Sequence, residues 1–201
     1  QHTGYTVIGQ IPLIPSRHSK DTLKYLSDKP TSAAAEAIRN LRTSLMLSNL
    51  DKKPQVIVST SSIPGEGKTT VSLSLAKFLS GLGKSVLLVE GDIRRRTLNE
   101  YFPDMPRNGI ASVLNGDVKF ADAIHTPDGF GADVLGGEKT NVNAADIFSS
   151  DRFKSFISEM RDQYDFIIID TPPVLVVPDA RSISQNTDAI LFSVKWDSTN
   201  K

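Results

Sequence analysis

The stretch Ser62-Ile63-Pro64-Gly65-Glu66-Gly67-Lys68-Thr69 constrains this chain more than any other, because of what flanks it. Before it lies Val56-Ile57-Val58, a short β-branched run that reads as a buried strand. After it, Thr69 to Leu82 carries apolar residues at Val71, Leu73, Leu75, Phe78, Leu79 and Leu82, which predicts a helix stopping near Gly81 or Gly83. Val86-Leu87-Leu88-Val89 then reads as a second buried strand. Strand, helix and strand in about thirty residues form a βαβ unit, and such a unit demands a parallel sheet.

The loop inside that unit points to phosphate. A phosphate chain needs several backbone N–H groups converging on it, and Gly65 and Gly67 permit that approach. The following helix presents its positive N-terminus to the anion. The stretch matches the P-loop pattern with one departure, Ser62 in place of the first Gly. Two glycines alone would also fit a turn that binds nothing. Gly-Lys-Thr at a strand-to-helix junction is the context that selects the phosphate reading. The expected nucleotide contacts are Ile63, Pro64, Gly65, Glu66, Gly67, Lys68, Thr69 and Thr70. Lys68 is expected to reach the β- and γ-phosphates of ATP, and the Thr69 hydroxyl to ligate Mg²⁺.

Such a loop needs a carboxylate at the end of a neighbouring strand. Asp170 follows Phe166-Ile167-Ile168-Ile169, an apolar run that reads as a central parallel strand. The alternative is an Asp that merely caps the next turn. Glu90 and Asp92 leave the Val86–Val89 strand two residues apart and can approach the same metal and phosphate. Lys68, Glu90, Asp92 and Asp170 are thus the candidate catalytic residues, and Thr69, Asp92 and Asp170 the candidate metal ligands. Arg94-Arg95-Arg96 reads equally as a solvated face or a phosphate contact, with Arg94 favoured by its distance from Asp92.

The rest of the chain fits an α/β fold with a mainly parallel central sheet and helices on both faces. Ala189–Val194 predicts a further buried strand, and Phe153–Arg161 an amphipathic helix. Weaker patterns predict helices near Ile110–Leu114 and Phe120–Ile124, and a short strand at Ala132–Leu135. Gly4–Pro15 reads as a short strand or extended arm, and Ser16–Pro30 as a polar loop or linker. A helix capped by Thr31 or Ser32 is expected to run to about Leu47. The division expected is an arm and linker over 1–30 and a P-loop domain over 31–201. Equal numbers of basic and acidic side chains, 23 each, give no bulk pull toward nucleic acid. The absence of Cys excludes disulfides and thiolate metal sites. No segment approaches the length of a membrane-crossing helix. The chain begins without Met and stops at Lys201 just after a predicted strand, so it reads as a fragment, truncated at its C-terminus.

Taken together, these motifs resemble those of the bacterial tyrosine kinases, the P-loop kinases of capsule and exopolysaccharide assembly. The resemblance rests on the P-loop, on Glu90-Gly91-Asp92-Ile93-Arg94 as the family's second acidic segment, and on Ile167-Ile168-Ile169-Asp170-Thr171-Pro172-Pro173 as Walker B. Ile8-Gly9-Gln10-Ile11-Pro12 looks like the family's arm, and Asp179-Ala180 also fits. Glu36, Arg39 and Arg42 resemble the helix motif by which such kinases assemble into rings. Residue spacing alone leaves that reading even with an intrahelical Glu–Arg pair worth about 0.3–0.5 kcal/mol. The resemblance implies ATP-dependent tyrosine autophosphorylation between subunits, in a domain on the cytoplasmic side of the inner or plasma membrane. It implies as partners a homo-oligomeric ring, a membrane polysaccharide co-polymerase segment or subunit, and a cognate phosphotyrosine phosphatase. The first acid of the second segment would receive the tyrosyl proton; here it is Glu90, where the family has Asp. The family's acceptors are a tail cluster of tyrosines, whereas Tyr5, Tyr25, Tyr101 and Tyr164 are scattered. Two alternatives stand beside this: an ATP-binding regulator of polysaccharide export without transferase activity, and a partition-type ATPase. Ile63 argues against the latter, which carries a lysine there.

Overall fold

The computed structural model describes residues 6–16, 21–47 and 53–196. The chain forms two compact units, residues 1–54 and 55–201. The parting at 54/55 differs from the expected one at residue 30.

In the first unit, residues 6–16 have no regular secondary structure, as expected of an arm. Gly9 lies against Leu41, where an added Cβ would stand 3.1 Å from Leu41 Cδ1. The segment read as a polar linker holds helix α1, Asp21–Asp28; residues 17–20 of that reading lie outside the described residues. The helix forms because Thr22 and Leu26, four residues apart, are both buried, and Lys24 pairs with Asp28 at 2.5 Å. Two buried positions in eight residues are too few to show periodicity in sequence. Helix α2, Ala33–Leu47, starts on Ser32, whose Oγ accepts from Ala35 N at 3.2 Å. Its buried stripe is Ala34, Ala35, Ile38, Leu41 and Leu45. Glu36 and Arg39 pair within this helix at 2.5 Å, and Arg39 also donates to Pro30 O.

The second unit carries a six-stranded sheet. In chain order its elements are β1 Val56–Ser61, α3 Lys68–Ser80, β2 Val86–Glu90, α4 Leu98–Tyr101, α5 Ile110–Asn115, α6 Phe120–Ala123, β3 Ile124–His125, β4 Asp133–Leu135, α7 Ala144–Phe148, α8 Asp151–Gln163, β5 Phe166–Asp170, α9 Asp179–Ser184 and β6 Ala189–Ser193. The strand order is β3-β4-β2-β5-β1-β6, parallel throughout except for the β3–β4 pair. β1, β2 and β5 are buried along their whole length, which explains their nearly unbroken apolar runs. β6, read as a buried strand, stands at the sheet edge and leaves Ile190 and Phe192 exposed.

Alternation along the strands sorts the core into two layers. Val56, Val58, Leu87, Val89, Ile167 and Ile169 pack with Phe148, Phe153, Ile157 and Met160. On the other face α3 lies against β1, β2 and β5 with Leu75 and Leu79 fully buried. Asp188 joins elements at the entry to the sheet. Its carboxylate takes Arg161 at 2.7 and 2.9 Å and the N–H groups of Gln55 and Val56. Among the described residues no helix is long and apolar enough to cross a membrane.

Ile168, central in β5 and fully buried, offers a direct check of the layered core. Ile168→Ala is expected to remove about 2–5 kcal/mol of stability in urea unfolding. A loss under about 1 kcal/mol would contradict close packing at this layer.

Candidate active site

The register of three parallel strands assembles the site. Ser59 of β1 and Glu90 of β2 both pair with Asp170 of β5, so the carboxyl ends of all three strands open at one level. The loop after β1 returns over that level as the P-loop. Gly65 and Gly67 hold φ of 84° and 85°, a left-handed backbone that only glycine adopts without strain. No atom lies within 4 Å of where their Cβ atoms would be, so backbone conformation, not space, requires glycine there. Gly67 is the N-cap of α3 and delivers Lys68, Thr69 and Thr70 into its first turn.

Glu66 braces the loop from within. Its buried carboxylate accepts from Ile63 N at 2.9 Å and, across the site, from Lys195 N at 3.4 Å. Ser61 Oγ donates to Ile63 O at 2.9 Å. The P-loop strand and the Asp170 strand are stitched beyond their ends as well. Thr171 donates through both N and Oγ1 to Ser59 O, and Thr60 Oγ1 donates to Pro172 O.

Asp170 is fully buried and takes three side chains of α3. Lys68 Nζ stands 3.3 Å from Oδ2, Thr69 Oγ1 donates to Oδ2 at 2.7 Å, and Ser72 Oγ donates to Oδ1 at 2.9 Å. Lys68 Nζ also lies 3.2 Å from Thr69 Oγ1. Sequence reasoning missed Ser72. Its signal is its position one helical turn after Lys68, on the same face of α3.

The second acidic segment divides. Gly91 passes so close to β5 that an added Cβ would stand 2.9 Å from Asp170 O. Asp92 is buried, and burial raises its carboxyl above the ordinary range while the Lys68 ammonium pulls it back. Glu90 is fully buried, with one oxygen accepting from Asp92 N at 3.0 Å and the other from Leu98 N at 2.7 Å. Burial, reinforced by the Asp170 charge, raises its pKa to about 8. Arg94 does not point at a phosphate site. It pairs with the buried Asp179 at the start of α9 and reaches Asn143 Oδ1 at 3.4 Å. The resemblance included Asp179 without a role; here it anchors the turn after β2.

A hydroxyl and a carboxylate oxygen 2.7 Å apart, beside a lysine, suit Mg²⁺, which keeps water and phosphate oxygens among its ligands. Among the described residues no group of three or more His, Asp or Glu could form an all-protein metal cage.

The AAA domain family model matches residues 54–197, the unit that carries this site. The chain belongs to the AAA domain family. Its P-loop kinase fold implies nucleotide binding. This AAA domain is similar to the tyrosine-protein kinase ptk of Acinetobacter johnsonii, 30% identical over 94% of the chain. It covers only 24% of that relative's length. Its fold matches the kinase domain of Escherichia coli tyrosine kinase ETK with a TM-score of 0.89 at 27% identity, covering 98% of this chain and 81% of that one. It also matches the chimerical protein CapA2B2, with a TM-score of 0.84 at 30% identity, covering 94% and 80%.

The Glu90 environment sets a pH dependence. Because its folded pKa lies above the ordinary 4.5, the stability of the neutral form is complete below about pH 4.5 and is lost as pH rises toward about 8. The urea midpoint of the parent is therefore expected to fall across that window, and that of Glu90→Gln to fall less. Parallel curves for the two proteins would show that Glu90 is ionised throughout.

Proposed function

We propose that this domain is an ATP-dependent protein tyrosine kinase that uses Mg²⁺ and acts between subunits in exopolysaccharide or capsule assembly. The observation that carries the reading is the Lys68–Thr69–Asp170 knot, with Glu90 of the adjacent strand at the same level and the buried Asp92 just beyond it. The likeness to named tyrosine kinases supports it. The loop amides and Lys68 bind the phosphates, and Thr69 and Asp170 hold Mg²⁺ with Asp92 nearby. The metal, when bound, neutralises charge on the phosphates.

In the transfer step the tyrosyl oxygen attacks the γ-phosphorus. The bond from that phosphorus to the ADP oxygen breaks, ADP leaves, and the tyrosyl proton passes to the Glu90 carboxylate. With its pKa raised to about 8, Glu90 takes the proton only in its ionised fraction, which grows as pH rises toward that value and is there more basic than an ordinary carboxylate. Its burial favours a second reading. With both oxygens already taking backbone N–H groups, Glu90 also fits a brace of the turn after β2, in an ATP-binding regulator that transfers nothing. Under the kinase reading Glu36, Arg39 and Arg42 form an inter-subunit contact, and a membrane co-polymerase segment and a phosphotyrosine phosphatase are partners.

Incubation with ATP and Mg²⁺, read by phosphotyrosine detection, tests the assignment. The parent is expected to give signal, Lys68→Met to lose at least about a hundredfold, and Glu90→Gln to fall sharply without losing nucleotide. A silent parent that binds nucleotide and gains signal as Glu90→Asp would establish the regulator instead.

A further inference from the structure

Beside the carboxyl end of β2 lies a second concavity, a groove of about 590 Å³ that contains none of the P-loop residues. Its walls come from the turn after β2 with α4, the segment leading into α5, α5 with the turn after it, and the loop after β4. Of these segments only the Arg94-Arg95-Arg96 run stood out in the sequence.

Three cations line the groove: Arg96, Arg107 and Lys139. None of the three forms an ion pair among the described residues. Two carboxylates, Asp117 and Glu138, share the lining. That of Glu138 is taken by the N–H groups of Gly109 and Ser112, so it is turned into the wall. The groove therefore carries an excess of unpaired positive charge. Met105 and Pro106 add an apolar patch.

The groove touches the active site through one residue. Gly137 sits so close that an added Cβ would stand 3.1 Å from both Arg96 Cγ and Glu90 Cγ. Arg96 holds φ of 51°, the left-handed backbone that a non-glycine residue seldom adopts. That turn sets the arginine against Gly137 and hence beside Glu90.

We propose that this groove is an acceptor subsite that binds an extended acidic peptide segment carrying the tyrosine to be phosphorylated. This rests on the kinase reading above. The carboxylates of the segment pair with Arg96, Arg107 and Lys139. An aromatic ring of the segment covers Met105 and Pro106. Inorganic phosphate would satisfy the cations but leave the apolar patch bare. A peptide satisfies charge and apolar surface together, and Gly137 stands between it and the proposed proton acceptor.

The test uses the full chain and two labelled peptides, Glu-Glu-Tyr-Glu-Glu and Gln-Gln-Tyr-Gln-Gln, followed by fluorescence anisotropy. The acidic peptide is expected to bind at least about tenfold more tightly than the neutral one. Arg107→Gln with Lys139→Gln, both at exposed positions, is expected to erase that difference and flatten its salt dependence. Binding of a fluorescent ATP analogue should stay unchanged in the same variant. Equal binding of the two peptides, or an unaltered acidic-peptide affinity in the double variant, would overturn the proposal. Complete displacement of the peptide by inorganic phosphate at matched ionic strength would overturn it too, and assign the groove to a free anion. Failure of the kinase reading shows separately: the acidic peptide would bind through Arg107 and Lys139 yet accept no phosphate from ATP.

Discussion

A buried carboxylate is expensive unless a cation and hydrogen-bond donors surround it. Asp170 meets that condition with Lys68, Thr69 and Ser72, all from the first turns of α3. The arrangement ties the C-terminal end of β5 to the N-terminal end of α3. It holds only while β1, β2 and β5 keep their register, since a slip of one residue would turn the Asp170 side chain to the opposite face. The unbroken apolar burial of those strands is what fixes the register. Core packing and site chemistry are in this sense one constraint, read from opposite ends of the same strands.

Much of this was legible in the sequence. The β-branched run at Val56–Val58 and the glycine pair at Gly65 and Gly67 act through the backbone, so their conformations follow from residue type. Asp170 follows a four-residue apolar run, the pattern of a buried parallel strand. The pieces that sequence reasoning missed or misread are those decided by tertiary contact. Helix α1 buries only two side chains, too few to imprint a period. β6 is apolar like a central strand yet stands at the edge. Glu90 reads in sequence as a strand-exit acid on an open site. The structure closes it under Leu98 and Gly137, residues eight and forty-seven positions away.

The same logic explains why the groove beside β2 escaped any motif. Arg96 with Asn99, Arg107 and Lys139 come from three separate segments, and no spacing rule connects those. Their juxtaposition depends on Gly109, Gly136 and Gly137 letting the loops close on one another. A Cβ at Gly109 would stand 2.2 Å from Gly136 O, and one at Gly136 would stand 2.5 Å from Met105 Cε. Glycines of this kind serve close approach rather than unusual dihedral angles, and only coordinates distinguish the two uses.

Glu66 gives the P-loop a brace that does not depend on phosphate. A loop already held in its binding shape loses little conformational freedom when an anion arrives. Nucleotide exchange can then proceed without the loop folding and unfolding around each ligand. Because the other oxygen of the same carboxylate meets the backbone after β6, a pull on the chain beyond that strand is transmitted to the phosphate cradle. The route from that segment to the phosphate cradle is a single hydrogen bond of 3.4 Å.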